Sequence, residues 1–259
     1  MKGRVLVVAG SDSGGGAGIE ADIKTATALG AYAATAITAL TVQNTLGIQR
    51  IMPVPPDFVA AAMAAVLGDI GADAIKTGML VDAATVTAVA DTLDIHAPKV
   101  PLVVDPVMVS SSGTRLLSED AVEILKRRLI AHAAIITPNI PEAEILLGRR
   151  IDDVAKAAAT LRDLGPRAVV ITGGHATGQT VRDVVADETG VIALEAPRVE
   201  TTSTHGTGCA FASAAAAGIA QGMDIRAAVA RAHRFVQEAI RTAPDFGRGH
   251  GPLGYFPKV

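Results

Sequence analysis

The sequence predicts a three-layer α/β/α fold, a mostly parallel central sheet with helices on both faces, formed by residues 1–259 as a single domain. Three observations carry this. Short apolar runs rich in Val, Ile and Ala alternate with helical spacing through the first two thirds of the 259 residues, the pattern of strand–helix–strand units with right-handed crossovers. Apolar residues make up 49% of the chain but aromatics only 3%, with no Trp, a composition suited to strands buried on both faces beneath closely packed helices. Finally, no linker, repeat or low-complexity segment divides the chain.

Taken in order, residues 4–9 (RVLVVA) read as a buried strand. A glycine-rich loop follows, then a helix over IEADIKTATALG, with Gly30 placed to stop it. A second strand spans Ala33 to Leu40 and ends in polar TVQNT. Pro55 and Pro56 open a helix through Leu67, since proline suits a first helical turn. DAIKTGM is a short strand, residues 82–94 a helix, and VPLVVDPV a strand running into Asp105. Ser118 caps a helix over 119–131, whose basic KRR lies near the C-terminal end of the helix dipole. AAIITPN is a strand, Pro141 opens a short helix, and Asp152 or Asp153 starts another through Leu164. RAVVITGG is a strand, and VRDVVADETGVIALEA is a hairpin around Glu-Thr-Gly, expected at a sheet edge. Helices over about 207–221 and 224–242 finish the chain.

Composition also narrows function. A net charge of −3 and a pI near 6.1 give no electrostatic footprint for nucleic acid or an anionic membrane. The apolar run near the N-terminus is too short for a signal peptide, and no stretch approaches the roughly 18 apolar residues of a membrane span. With its single cysteine, the chain forms no intrachain disulfide, and a soluble cytoplasmic protein is expected. His175, His205, His233 and His250 lack metal-ligand spacing, so no zinc site is expected.

In parallel sheets ligands bind beyond the carboxyl ends of the strands, where this sequence gathers Gly10-Ser11-Asp12-Ser13, Gln43-Asn44, Asp105, Asn139 and Gly173-Gly174. Gly16-x-Gly18-x-x-Ala21 matches a relaxed dinucleotide fingerprint, but the acid that fold wants after the next strand is missing from TALTVQNT. No GxxxxGK[ST] phosphate loop occurs. The stretch HGTGC is more informative. Gly206, Thr207 and Gly208 lead into a helix whose free N–H groups and positive dipole end can hold an anion. Cys209, the lone cysteine, sits at that helix start, where the dipole favours a thiolate; a packed, inert thiol is the other reading.

Seven stretches, GSDSGGGAGIEADIKT, ITALTVQNT, KTGML, VVDPVM, TPNIPEAEILLG, GGH and STHGTGC, occur in the order found in hydroxymethylpyrimidine/phosphomethylpyrimidine kinases of thiamine biosynthesis. The chain resembles this family, part of the ribokinase-like superfamily, from about residue 4 to 254. The resemblance implies ATP-dependent phosphorylation of 4-amino-5-hydroxymethyl-2-methylpyrimidine and then of its monophosphate, with Mg²⁺, and usually a homodimer. DPVM and TPN are shared with pyridoxal kinases, so pyridoxal or pyridoxine phosphorylation is the alternative. The resemblance also assigns roles. Gly206, Thr207 and Gly208 would hold the transferring phosphoryl group on backbone amides, and Cys209 would take the proton from the substrate CH₂OH. Gln43 would pair with the aminopyrimidine edge, a match of amide to amidine. Asp22 would make a second polar contact to the ring, with Gly10, Ala17, Met79 and Val107 as apolar walls; Met79 also fits plain core. Asp105 and Glu142 would orient Mg²⁺ partly through water, although Glu142 also suits a helix first turn as a favourable acid. Asn139, Thr172 and Gly174 would serve ATP. Many family members carry Lys where this chain has Thr172, so Arg, Lys or His from the C-terminal helices or tail is expected to neutralise the ATP tail.

Overall fold

The computed structural model describes residues 2–109, 113–174 and 178–255; His175 lies outside the described residues. Val5 to Ala9, an unbroken apolar run, form the middle of strand β1 (Arg4–Asp12) and are at most 1% exposed. Their alternation splits the core: Leu6 and Val8 join one apolar cluster, and Val5, Val7 and Ala9 join another on the opposite face. A strand buried on both sides must be apolar at every position, which is why its sequence reads as a run.

Strands β2 (Tyr32–Asn44), β3 (Gly47–Pro53), β4 (Ala74–Thr77), β5 (Leu102–Val104), β6 (Ile135–Ile136), β7 (Ala168–Ile171), β8 (Thr180–Asp187) and β9 (Gly190–Pro197) complete one nine-stranded sheet of order β3-β2-β1-β4-β5-β6-β7-β8-β9. Pairing is parallel from β2 through β7. The edge ribbons β2–β3 and β8–β9 are antiparallel, as is β7–β8. Helices α1 (Gly18–Ala28), α7 (Thr207–Ala220) and α8 (Ile225–Arg241) cover one face. Helices α2 (Pro56–Asp69), α3 (Ala83–His96), α4 (Glu119–Arg128), α5 (Ile140–Leu147) and α6 (Val154–Arg162) cover the other. Ala210, Ala212 and Ala214 through Ala217 are fully buried in α7, and these methyl groups let α7 lie flat across β1, β4 and β5. Strand order reverses at β1, with β2 on one side and β4 on the other, and the crevice of such a sheet opens there.

Two elements differ from the sequence reading. The second strand does not stop at Leu40: β2 runs on to Asn44 and turns back as β3, for which no element was expected. Leu40, Val42 and Met52 are 41%, 49% and 58% exposed on this ribbon, so its apolar residues follow neither a buried run nor a clean alternation. The helix expected over 119–131 ends at Arg128, and residues 130–132 tighten into a 3₁₀ turn. Ser118 occupies its N-cap position without a side-chain bond, whereas Asp153 caps α6 by accepting from Ala155 and Lys156.

Candidate active site

A cleft of about 450 Å³ opens at the carboxyl ends of the parallel strands. Its walls bring together every site residue expected from sequence except Asp22.

At one end Gly10, Ala17, Met79 and Val107 form apolar walls around Gln43. Gln43 Nε2 lies 3.1 Å from His205 Nε2, and its Oε1 lies 3.2 Å from Thr41 Oγ1. Thr41 Oγ1 also reaches the Ser11 carbonyl oxygen at 3.0 Å. His205 Nε2 is 2.8 Å from Asp12 Oδ2, and Asp12 accepts from the backbone N–H groups of Gly14, Gly16 and Ala17. Burial alone would raise the Asp12 carboxyl, but His205 and these N–H groups hold it below its ordinary value.

The middle of the cleft is the start of α7. Gly206 is its N-cap at φ 85°, and a Cβ there would overlap the Gly16 carbonyl oxygen, so only glycine lets the two loops meet. In the first turn Thr207 N–H donates to the Thr204 carbonyl oxygen at 3.4 Å, outside the helix, while Gly208 and Cys209 have no intrahelical acceptor. All three residues line the cleft, and a helix start of this kind can bind anions. Below them sits Lys76, fully buried at the end of β4. Its Nζ donates to both oxygens of Asp22, at 3.0 and 2.9 Å, and lies 3.7 Å from Asp105 Oδ2. Burial alone would lower the Lys76 ammonium, but Asp22, Cys209 and Asp105 hold it above its ordinary value.

Two expectations are corrected here. Asp22 makes no wall of the cleft: it is 0% exposed, bound by Lys76 and by Ser213 Oγ at 2.6 Å. It reaches the site only through Lys76. Nor is the Cys209 thiol depressed. Burial pushes it up to about 12, Asp105 and Asp22 push the same way, and Lys76 offsets only part. The field of two carboxylates and the loss of solvent outweigh one ammonium and a helix start.

Toward the far end, burial lifts Asp105 to about 6, helped by Asp22 and opposed by Lys76 and the Cys209 thiol. Burial and Asp105 lift Glu142 to about 8, against the N–H groups of Asn139 and Met108. Asn139 and Glu142 close a capping box on α5: Asn139 Oδ1 accepts from Glu142 N at 2.9 Å, and Glu142 Oε2 accepts from Asn139 N at 3.0 Å. Glu142 is therefore a helix cap and at the same time a buried acid that feels the charge of Asp105. Asp105 Oδ2 is buried without a hydrogen-bond partner, its nearest charge being the Lys76 ammonium 3.7 Å away. The repulsion between the Asp105 and Glu142 carboxyls is one that a cation beside them would relieve. Among the described residues no group of three or more His, Cys, Asp or Glu forms a ready cage. Mg²⁺ needs none, since it is commonly held by one or two carboxylates with substrate phosphates and water.

Beyond them Asn139, Thr172 and Gly174 line the cleft with Phe211, His233 and Gln237. His233 Nδ1 is 2.7 Å from Asp183 Oδ2, and Asp183 Oδ1 accepts from Gly173 N at 2.8 Å. His233 Nε2 and Gln237 Oε1 are buried and unpartnered. Of the lysines and arginines among the described residues, Lys76 and Arg198 line the cleft. Neither comes from the C-terminal helices or tail, but His233 of α8 and His250 of the tail do line the cleft, and histidine is one of the residue types expected there. Arg198 follows β9, and its guanidinium donates to the Gly178 and Gly174 carbonyl oxygens at 2.7 and 3.1 Å.

Sequence reasoning placed Asp12 only within its loop and His233 only among the C-terminal histidines, and it passed over Lys76, His205 and Gln237 as site residues. Lys76 left a signal, a charge inside an otherwise apolar strand. His233 and Gln237 are one helical turn apart on the buried face of α8, a weaker signal of the same kind.

Comparison with known proteins places this cleft in a family. The phosphomethylpyrimidine kinase family matches residues 12–254. The chain is 49% identical over 98% of its length to the thiamine biosynthesis bifunctional protein ThiED of Geobacter sulfurreducens, of which it spans 52%. It is 42% identical to the hydroxymethylpyrimidine/phosphomethylpyrimidine kinase of Rhizobium meliloti, covering 99% of this chain and 98% of that one. Among solved structures, an ADP complex of Bacillus subtilis pyridoxal kinase superposes with a TM-score of 0.90 at 34% identity, over 98% of both chains. A match across nearly the whole chain, with the cleft at the sheet's reversal point, means that this chain belongs to the phosphomethylpyrimidine kinase family.

Proposed function

We propose that the chain is a kinase that transfers a phosphoryl group from ATP to the hydroxymethyl group of 4-amino-5-hydroxymethyl-2-methylpyrimidine, and then to the resulting monophosphate. The observation that carries this is the order of parts along one cleft: an amide between apolar walls, then a helix start, then a buried carboxylate pair. That order suits a flat polar ring, a phosphoryl group in transit and a metal-bound triphosphate. The family membership, the names of the relatives and the nucleotide in the pyridoxal kinase complex support it.

Phosphoryl transfer asks for alignment and charge neutralisation. The first-turn N–H groups of α7 would hold the transferring oxygens, as an oxyanion hole does. Asp105 and Glu142 would hold Mg²⁺, which when bound neutralises phosphate charge. Lys76 adds a fixed positive charge beneath the helix start. The hydroxymethyl group loses its proton as its oxygen bonds to phosphorus and ADP leaves. Cys209 would accept that proton only as a thiolate, its own proton having first passed to bulk water, a loss that Lys76 favours and burial opposes. A homodimer is part of this proposal, by resemblance to the family.

Pyridoxal phosphorylation is the second reading, supported by the 0.90 superposition. The Gln43 amide favours an amidine edge, which pyridoxal lacks. An ADP-release assay against the pyrimidine alcohol, its monophosphate, pyridoxal and pyridoxine decides. The expected result is turnover of both pyrimidines with kcat/KM at least tenfold above pyridoxal; a preference for pyridoxal overturns the proposal. In the same assay Asp105→Asn and Glu142→Gln should each raise the Mg²⁺ needed for half-maximal rate, and curves that overlay wild type would remove the metal assignment.

A further inference from the structure

One amide in the cleft has its orientation dictated from both ends. Asp12 collects three backbone N–H bonds and approaches His205 Nε2 at 2.8 Å. An acceptor-only carboxylate there requires Nε2 to carry the proton. That same nitrogen lies 3.1 Å from one end of the Gln43 amide. An amide N–H₂ in that place would face a protonated nitrogen that has no lone pair to accept with. A half-turn of the amide, which exchanges N for O in nearly the same volume, puts there an oxygen that shares the single Nε2 proton with Asp12. The other end gives the same answer. Thr41 Oγ1 has one proton and lies 3.0 Å from the Ser11 carbonyl oxygen, which can only accept. With its proton spent on Ser11, the hydroxyl offers the amide, 3.2 Å away, only a lone pair. A donor, Nε2, belongs on the Thr41 side and Oε1 on the His205 side.

We infer that His205, Asp12 and Thr41 are positioning residues that lock the Gln43 amide in this orientation and thereby make the site select a 4-amino over a 4-oxo pyrimidine. The inference rests on the reading above, in which Gln43 meets the pyrimidine edge. A 4-aminopyrimidine presents an amino donor beside a ring-nitrogen acceptor. The 4-oxo form presents a carbonyl acceptor beside a ring N–H donor, the same pattern reversed. A freely turning glutamine pairs with either ring. A locked one pairs with the oxo ring only if that ring is turned over, which carries the hydroxymethyl group away from the start of α7. The lock also fixes the bound pose: the amino group lies on the His205 side and the ring nitrogen on the Thr41 side.

The test compares kcat/KM for the 4-amino alcohol and its 4-oxo analogue in wild type, His205→Phe and His205→Gln. Phenylalanine keeps ring volume without the donor, and glutamine returns an N–H to the same place. Wild type should prefer the amino compound by about a hundredfold or more. His205→Phe should shrink that ratio by about tenfold or more, through a higher KM for the amino alcohol and a lower one for the oxo analogue, with the KM for ATP within about twofold. His205→Gln should restore most of the ratio. An unchanged ratio in a folded His205→Phe protein overturns the inference, as does a wild type that accepts both alcohols equally. If His205→Phe does not fold, Thr41→Val removes the lock from the other side, and there too an unchanged ratio overturns it. A wild type that turns over pyridoxal in place of either pyrimidine overturns the functional reading itself, a different outcome from the loss of selectivity.

Discussion

Asp22→Asn separates a carboxylate that touches substrate from one that only neutralises a buried lysine. In the native protein Lys76 Nζ has two oxygens of Asp22 within 3.0 Å, while Asp105 stands 3.7 Å away. The substitution keeps the shape and one acceptor but removes the negative charge, leaving an ammonium with no exposure to water. Breaking one side of a buried pair costs about 3–5 kcal/mol. Asp105 remains and the new amide oxygen still accepts a bond, so the expected loss lies near the lower end, about 3 kcal/mol. At about 2–4 °C per kcal/mol for a chain of this size, the melting midpoint falls by about 6–12 °C. Calorimetry and urea titration measure it. The double variant Lys76→Met with Asp22→Leu should recover most of the lost stability, because apolar groups of similar volume replace buried pairs at little cost. At a temperature where the single variant stays folded, KM for the pyrimidine alcohol should move less than about threefold. An Asp22→Asn protein that melts with wild type and yet raises that KM more than about tenfold would show that the carboxylate meets the ring after all.

Iodoacetamide should modify Cys209 in the ligand-free protein at a rate that climbs about tenfold per pH unit from roughly pH 7 to 9.5, because burial keeps the thiol protonated; a plateau below pH 8.5 would reveal a depressed thiol. Gly206→Ala should lower kcat by about tenfold or more, since left-handed backbone costs an alanine about 1–2 kcal/mol and its methyl would displace the Gly16 loop; wild-type steady-state kinetics would refute the close approach. Asp187 accepts a forked pair of bonds from Arg226 at 2.6 and 2.8 Å, which holds its carboxyl well below the usual carboxylate range. A carboxyl so held stabilises the fold above about pH 4, and the contribution fades as pH falls further. Urea midpoints of Asp187→Asn should therefore change less than wild type between about pH 5 and 2.5, and parallel curves would deny the linkage.

The helices and the parallel strands were legible because burial on two faces leaves runs of Val, Ile and Ala, and because Gly30, Pro56 and Asp153 mark ends by local chemistry that needs no tertiary context. Ribbon β2–β3 was not, since its exposed apolar residues obey no single period. For the site, loops at strand ends gave the right neighbourhood: Gln43, Asp105, Asn139 and the HGTGC turn all line the cleft. What sequence could not supply was direction. Asp22 and Thr25 lie one turn apart on α1, both fully buried, and only the packing of α7 shows that Asp22 turns to Lys76 and Ser213. The thiol of Cys209 depends likewise on groups distant in sequence, and a helix start read alone gives the wrong sign.

The pairings in and beneath the cleft join the beginning of the chain to its last quarter. Asp12 and His205 are 193 residues apart, Asp22 and Ser213 191, and Gln43 and His205 162. At about 5–20 residues per second, a ribosome needs roughly 10–40 s to make the second partner after the first. Through that interval the sheet side carrying Val5, Val7 and Ala9 has only α1 against it and waits for α7 and α8, and Lys76 has its carboxylates but no Ser213. Neither ring nor nucleotide can hold such a nascent chain together, because the turn proposed to hold phosphate has yet to be translated. Protection in that window falls to chaperones and to the speed of the ribosome, and slowing translation ahead of the codons for α7 lengthens the time at risk of aggregation.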